Sequence, residues 1–255
     1  MKNKKALIMG FGSIGEKHAK ILKKNFGFKE IYFYSKRNSK KYKILKYLSE
    51  VKKKIFDYIV ISSKTSQHFS NIKFIEKNFY KKKILIEKPL FHRNINFKVK
   101  KNIYAVGYNL RFHPLIQKLK KDINRKKIYS IKVICNSYLP DWRKNIKSHD
   151  SYSSHRKKGG GVILDLSHEL DYVRWIFGNL KIKFVSKGKV SGLTHDSEDY
   201  LSLAGKIKNA DFSIDLNIIK KIVNLVNVKS KNIIEIGPGK GALTNEILKK
   251  NPKSL

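Results

Sequence analysis

Acidic residues are scarce in this sequence: 19 Asp and Glu stand against 57 Lys and Arg, leaving a formal charge of +38 over 255 residues. Cysteine is scarcer still. The single Cys135 excludes an internal disulfide and a thiolate metal cluster of the chain's own, which points to a reducing compartment and hence the cytoplasm. No apolar run approaches the roughly 18 residues of a membrane-spanning helix. The first apolar stretch, Ala6 to Met9, meets glycines too soon to be the core of a signal peptide, so neither a membrane span nor export is expected.

What is present is enough to build a core. Hydrophobic residues make up 41% and aromatic ones 11%, which excludes global disorder and allows one large domain or two modest ones. A charge this positive commonly marks a nucleic-acid or anionic-surface partner, because Lys and Arg neutralise phosphates and release counterions. Here the lysines are scattered through every element rather than gathered on one stripe, so solvated lysine faces are expected and a nucleic-acid partner is not. A phosphate-rich ligand would still be drawn toward such a surface.

From the start, short runs rich in Ile, Val and Tyr alternate with helical patterns, the signature of βαβ units and a parallel sheet. Strands are expected at Ala6 to Met9, Ile31 to Tyr34, Tyr58 to Ser62, Ile84 to Glu87 and Tyr104 to Val106, with helices at Ser13 to Lys24, Lys41 to Leu48 and Ser66 to Phe79 and another from about Pro114. The text then changes character. Ile128 to Tyr138 alternates like a long strand, Gly159-Gly160-Gly161 introduces an apolar helix to about Phe177, and strand-like runs near Phe184, Leu201 and Phe212 predict an antiparallel or mixed sheet behind it. The expected fold class is α/β: a Rossmann-type doubly wound parallel sheet, then a truncated α+β substrate domain and a short tail.

Gly10-Phe11-Gly12-Ser13-Ile14-Gly15 is a G-x-G-x-x-G between the first strand and the first helix. In that context the first glycine makes the turn, the second lets backbone approach a pyrophosphate and the third lets helix pack on strand, while the helix N-terminus offers N–H groups and the positive end of its dipole. NAD sites place an acid about 20 residues further on to hold the ribose diol. This chain has Ser35-Lys36-Arg37 there, and a hydroxyl with two cations suits a 2′-phosphate better, so NADP is preferred over NAD.

Further strings carry a family likeness. Ser63 to His68 reads Ser-Lys-Thr-Ser-Gln-His, Glu87-Lys88-Pro89 follows the next strand, and Gly107 to Pro114 reads Gly-Tyr-Asn-Leu-Arg-Phe-His-Pro. With the triple glycine and the following Asp165, His168 and Asp171, residues 4–216 resemble the Gfo/Idh/MocA family of glucose-fructose oxidoreductase and inositol dehydrogenase relatives. That resemblance implies a dinucleotide domain (1–110), a substrate domain (111–216) whose sheet packs in homo-oligomers, and hydride transfer between a nicotinamide cofactor and a hydroxyl of a sugar, sugar nucleotide or cyclitol. The Tyr-Asn-Leu-Arg-Phe-His-Pro string most resembles members tied to surface-polysaccharide sugars.

Oxidising a secondary alcohol takes a base for the hydroxyl proton and a cation for developing oxyanion charge. Lys88 is the expected cation or proton relay, and His168 the base with a carboxylate orienting it. Asp165, His168 and Asp171 fall at i, i+3 and i+6 of one expected helix. The family's commoner spacing sets aspartate and histidine four apart and here they are three apart, which puts Asp165 in doubt. Asn109, Arg111 and His113 are expected contacts to substrate or cofactor, with Phe112 and Pro114 as packing and turn residues. The likeness adds Ser62, His68 and Glu87 to the cofactor set of Gly10, Gly12, Ser13, Ile14, Gly15, Ser35 and Arg37, and implies no metal.

From about Asn217 the text changes again. A helical stretch from Asn217 and a strand at Asn232 to Ile236 lead into Glu235-Ile236-Gly237-Pro238-Gly239-Lys240-Gly241, which resembles motif one of S-adenosylmethionine-dependent methyltransferases and, with its surroundings, the start of ribosomal RNA adenine dimethyltransferases. Ile214-Asp215-Leu216-Asn217 fits either family and marks the expected join. The later strands and catalytic motif of the second family are missing, and the first family's substrate domain usually continues for several more strands. The alternatives to a dehydrogenase are therefore a methyltransferase represented by its tail (217–255), or an inactive nucleotide-binding fragment.

Overall fold

The structure, a computed structural model, describes residues 3–123, 128–137, 151–207 and 210–217, together with 229, 248 and 251–253. Tyr138, the strand expected at Asn232 to Ile236 and the Glu235 to Gly241 motif lie outside the described residues. So does the helix expected from Asn217, although Asn217 itself closes a strand.

Six short apolar segments, Lys5–Met9 (β1), Glu30–Tyr34 (β2), Lys43–Leu45 (β3), Tyr58–Ile61 (β4), Lys83–Ile86 (β5) and Ile103–Val106 (β6), form one sheet in the order β3-β2-β1-β4-β5-β6. Every pair is parallel. Parallel pairing requires crossovers, and helices Ser13–Phe26 (α1), Leu48–Lys52 (α2) and Thr65–Asn78 (α3) lie within three of them. The crossovers bury both faces of the central strands. Leu7 and Met9 pack with Ile59, Ile61, Ile72 and Ile75 on one side, while Ala6 and Ile8 pack with Ala19, Leu22 and Phe33 on the other. Each fully buried Ile or Leu here contributes about 1.5–3 kcal/mol relative to exposure.

One expected helix is replaced. Over Lys41 to Leu48 the chain instead forms the edge strand β3, and helix begins only at Leu48. Register explains the change: Tyr32, Phe33 and Tyr34 pair with Lys43, Ile44 and Leu45, and Tyr42 sits buried against Phe33 with ring centroids 4.8 Å apart. Pairing with a finished sheet outweighs the weak helical periodicity of an eight-residue window.

The second sheet is built from Ser130–Asn136 (β7), Leu180–Gly188 (β8), Tyr200–Ile207 (β9) and Ala210–Asn217 (β10), in the order β7-β10-β9-β8. The later three run antiparallel to their neighbours, but β10 pairs with β7 in parallel, so the sheet is mixed. Val133, Leu203, Phe212 and Ile214 on one face bury against helices Pro114–Ile123 (α4), Val162–Asp165 (α5) and Ser167–Phe177 (α6). The last two replace the single helix expected after the triple glycine. The break falls at Leu166 (φ −99°, ψ 19°), so Asp165 ends one helix while His168 and Asp171 belong to the next.

Candidate active site

The parallel sheet reverses its winding between β1 and β4, and the crevice beyond the carboxyl ends of such strands is where open α/β sheets bind ligands. Here β1 delivers Gly10 to Gly15, β4 delivers Ser62, and β5 delivers Glu87 and Lys88. The glycine loop is locked to the end of β4. The Ser62 hydroxyl donates to the Gly10 carbonyl at 3.2 Å. A Cβ on Gly10 (φ +114°) would lie 2.5 Å from the Ser63 nitrogen, and one on Gly15 2.5 Å from the Gly10 carbonyl oxygen. Gly12 differs, because a Cβ there would meet nothing within 4 Å. The loop is therefore tight where it touches protein and open at the N-terminus of α1, which fits a diphosphate held by first-turn N–H groups. Ser13 and Ile14 are exposed on that turn.

At the end of β2, Ser35 Oγ accepts from the Arg37 N–H at 3.1 Å, and Arg37 Nη1 reaches the Phe11 carbonyl at 3.5 Å. The guanidinium thus stands at the rim of the glycine loop. His18 of α1 meets Glu87 at 2.6 Å, fastening the glycine helix to the end of β5. His68, 1% exposed, faces only main-chain carbonyls: Pro89 and Leu90 at its Nδ1 and Ser63 at its Nε2, each at 3.1 Å. Burial holds its pKa below the ordinary imidazole value against the carbonyls' pull upward. Its visible work is to pin together the loops that follow β4 and β5.

Lys88 Nζ donates to the main-chain oxygen of Asp165 at 2.5 Å, bringing the end of the parallel sheet against α5. Burial pushes the Lys88 pKa down from the ordinary lysine value, opposed by the charges of Asp165, Glu87 and Glu169. Asp165, only 4% exposed, is pushed up by burial while Lys88 and Tyr152 pull it down. Tyr152 Oη donates to Asp165 Oδ1 at 3.0 Å. On α6, His168 Nε2 lies 3.1 Å from Glu169 Oε1, so the carboxylate on the imidazole is Glu169.

Asp171 is engaged elsewhere. It takes a bidentate pair from Arg111, with Nε to Oδ2 at 2.7 Å and Nη2 to Oδ1 at 2.5 Å. Arg111 and Asn109 lie on the 3-10 turn Asn109–Phe112, where Asn109 is exposed. Phe112, expected to pack, is 80% exposed, and Leu110 packs against the core instead. The structure thus gathers Lys88, Asp165, His168, Arg111 and Asp171 around α5 and α6, and the glycine loop, Ser62 and Glu87 at the adjoining strand ends. Sequence reasoning missed His18, Tyr152 and Glu169. Glu169 alone left a signal, a carboxylate next in sequence to the expected base.

The fold has counterparts among solved proteins. The WlbA dehydrogenase from Bordetella pertussis, solved with NADH and UDP-GlcNAcA, superposes with a TM-score of 0.71 at 14% identity, covering 87% of this chain and 72% of that one. The fold is that of nicotinamide-dependent dehydrogenases. WlbA (WbpB) from Thermus thermophilus, solved with NAD and α-ketoglutarate, gives 0.66 at 14% identity over 87% of this chain and 77% of that one.

In sequence the likeness lies elsewhere. The family model for ribosomal RNA adenine dimethylase matches residues 208–255. Ribosomal RNA small subunit methyltransferase A of Phytoplasma australiense is 62% identical over 39 residues, 15% of this chain and 14% of that protein. The Mycoplasmopsis pulmonis protein is 60% identical over 45 residues, 18% of each chain. The chain spans about a fifth or less of the methyltransferases it matches.

Proposed function

We propose that this chain is an NAD(P)-dependent dehydrogenase acting on a hydroxyl of a sugar, sugar nucleotide or cyclitol. The observation that carries the reading is Lys88: a half-buried lysine at the end of β5, one strand from the locked glycine loop and hydrogen-bonded to the backbone of Asp165. When bound, a nicotinamide supplies the hydride acceptor. The chain's own groups do the rest. Gly12 and the first turn of α1 hold the diphosphate, Lys88 donates a hydrogen bond to the substrate oxygen, and His168 takes the hydroxyl proton.

The cofactor we favour is NADP, because Arg37 stands at the rim of the glycine loop with Ser35 beside it and no acid ends β2. The solved WlbA relatives hold NAD or NADH, and one bound UDP-GlcNAcA, which supports a sugar-nucleotide substrate. A homo-oligomer through the second sheet is consistent with the exposed Ile182, Phe184 and Val185 of β8. Among the described residues no helix is long and apolar enough to cross a membrane, and with one cysteine we place the protein in the cytoplasm. We further read residues 1–110, 111–216 and 217–255 as its three segments.

The tail's likeness to methyltransferases supports a second reading, binding of S-adenosylmethionine. Thermal shift with three ligands separates the two. A ligand at about 100 times its Kd adds roughly 2.7 kcal/mol of stability. NADPH is expected to raise the melting temperature, NADH to raise it less, and S-adenosylmethionine to leave it unchanged. A shift with S-adenosylmethionine alone would overturn the dehydrogenase reading.

A further inference from the structure

The family likeness casts Glu87 as a coenzyme contact, but its carboxylate is engaged by the protein. His18, in the second turn of α1, brings Nε2 to 2.6 Å from Glu87 Oε1. A carboxylate offers acceptors only, so the imidazole N–H donates. Both side chains are mostly out of water, His18 19% and Glu87 25% exposed, so solvent dilutes this bond less than it would a surface pair. The bond also spans the sheet. Helix α1 follows β1, Glu87 follows β5, and β4 lies between those two strands.

Strand alternation explains why the bond bears on Lys88. Leu85 packs in the cluster that holds Ala19 and Leu22 of α1, whereas Ile84 and Ile86 pack with Ile72 and Ile75 of α3. Residues two apart share a face, so Glu87 leaves the strand on the α1 side and the next residue leaves on the other. That next residue is Lys88, whose ammonium donates to the Asp165 main-chain oxygen at 2.5 Å. The main chain here is itself held, because the Glu87 N–H donates to the Ile61 carbonyl at 2.8 Å. A turn fixed at its backbone and gripped on one face by His18 leaves the neighbouring side chain little freedom on the other.

We propose that His18 and Glu87 are a positioning pair for Lys88: their hydrogen bond ties the turn carrying the lysine to the helix whose first turn faces the diphosphate, and so sets where the ammonium stands. Glu87 then works on the protein rather than on the coenzyme. The bearing on turnover rests on the dehydrogenase reading, in which one end of this link holds the diphosphate and the other presents Lys88 to the substrate oxygen.

The position of Lys88 can be read without substrate or coenzyme. The full chain is treated with a trace of acetic anhydride, and acetylation of each lysine is followed by peptide mass spectrometry, the other lysines serving as internal reference. Lys88 is expected to label at least about tenfold faster in His18→Leu than in the native chain, the least that losing a hydrogen bond to a charged group should give. His18→Gln can place an amide N–H near the lost Nε2 and is expected to label as the native chain does. His18→Asn, equally polar but too short to reach, is expected to label as His18→Leu does, and it carries the test if the apolar variant fails to fold. A native rate at Lys88 in His18→Leu or His18→Asn overturns the pair. So does a rise shared by lysines throughout the chain, or a His18→Gln rate that follows the leucine variant.

Turnover is the second readout. His18→Leu is expected to lower kcat by about tenfold with NADPH affinity unchanged, and to cost nothing further in a Lys88→Ala background. A further loss in that background overturns action through Lys88. No turnover in a native chain whose variants label as expected overturns the dehydrogenase reading and leaves the pair standing.

Discussion

Lys88 and Asp165 meet through a side chain and a main chain: the lysine ammonium donates to the aspartate's backbone carbonyl at 2.5 Å, across 77 positions of sequence. Because the acceptor is backbone, replacing the Asp165 side chain leaves this bond possible, whereas replacing Lys88 removes it. Lys88→Ala is expected to lower turnover by about 10²–10⁴-fold, the usual range for a positioned proton-transfer group. NADPH affinity, measured by fluorescence enhancement, is expected to stay unchanged because the glycine loop is untouched. Unimpaired turnover would remove Lys88 from the reaction.

The two glycines of the nucleotide loop separate stability from binding. Gly10→Ala sets a Cβ 2.5 Å from the Ser63 nitrogen at φ +114°, a strain of about 1–3 kcal/mol before the clash is counted. Its melting temperature is expected to fall with or without ligand. A Cβ at Gly12 meets no protein atom within 4 Å and its backbone is extended, so Gly12→Asp is expected to keep its melting temperature while NADPH binding is lost to charge and bulk beside the diphosphate. Unchanged NADPH affinity in Gly12→Asp would move the cofactor elsewhere.

Much of this arrangement is legible in the sequence, for a physical reason. Gly10 and Gly15 each answer a local backbone demand, and the apolar runs around Leu7, Ile59 and Ile84 bury on both faces, so their signals are local and strong. What escapes is set by distant partners. Strand β3 exists because β2 offers it an edge, and Tyr42 is buried by Phe33 rather than by its own neighbours. The break at Leu166 leaves Asp165 on one helix and His168 with Asp171 on the next, which an unbroken helical wheel cannot show. The pairing of His18 with Glu87 joins residues 69 positions apart.

Arg111 and Asp171 offer a test of what holds the 3-10 turn against α6. The pair is bidentate, but the arginine side chain is 40% exposed, so solvent screens much of its charge. A double-mutant cycle over Arg111→Ala and Asp171→Ala is expected to give a coupling of about 1 kcal/mol in denaturant unfolding. Turnover should fall in both single variants if the pair positions the substrate side of the site. Coupling of zero would make the pair incidental to stability.

At the opposite edge of the parallel sheet, Glu30 accepts from Lys43 at 2.8 Å and Tyr32 at 2.6 Å and pairs with Lys5 at 3.0 Å, linking β1, β2 and β3. The bonds from Lys43, Tyr32 and Lys5, in that order, hold its carboxyl down at about 2, while burial opposes them. A carboxyl whose pKa is depressed on folding binds fewer protons in the folded chain than in the unfolded one between the two values, so stability falls with pH through that interval. The contribution is complete above the ordinary glutamate value of about 4.3 and is lost as pH drops toward about 2. Glu30→Gln is therefore expected to melt below the native chain at pH 6, with the gap narrowing steadily through the acid range in thermal unfolding curves. Added salt should shrink the gap at pH 6 as well, because these charges are exposed and screened. A gap that stays constant from pH 6 into the acid range would mean that the variant acts through packing against Tyr32 rather than through the ion pairs.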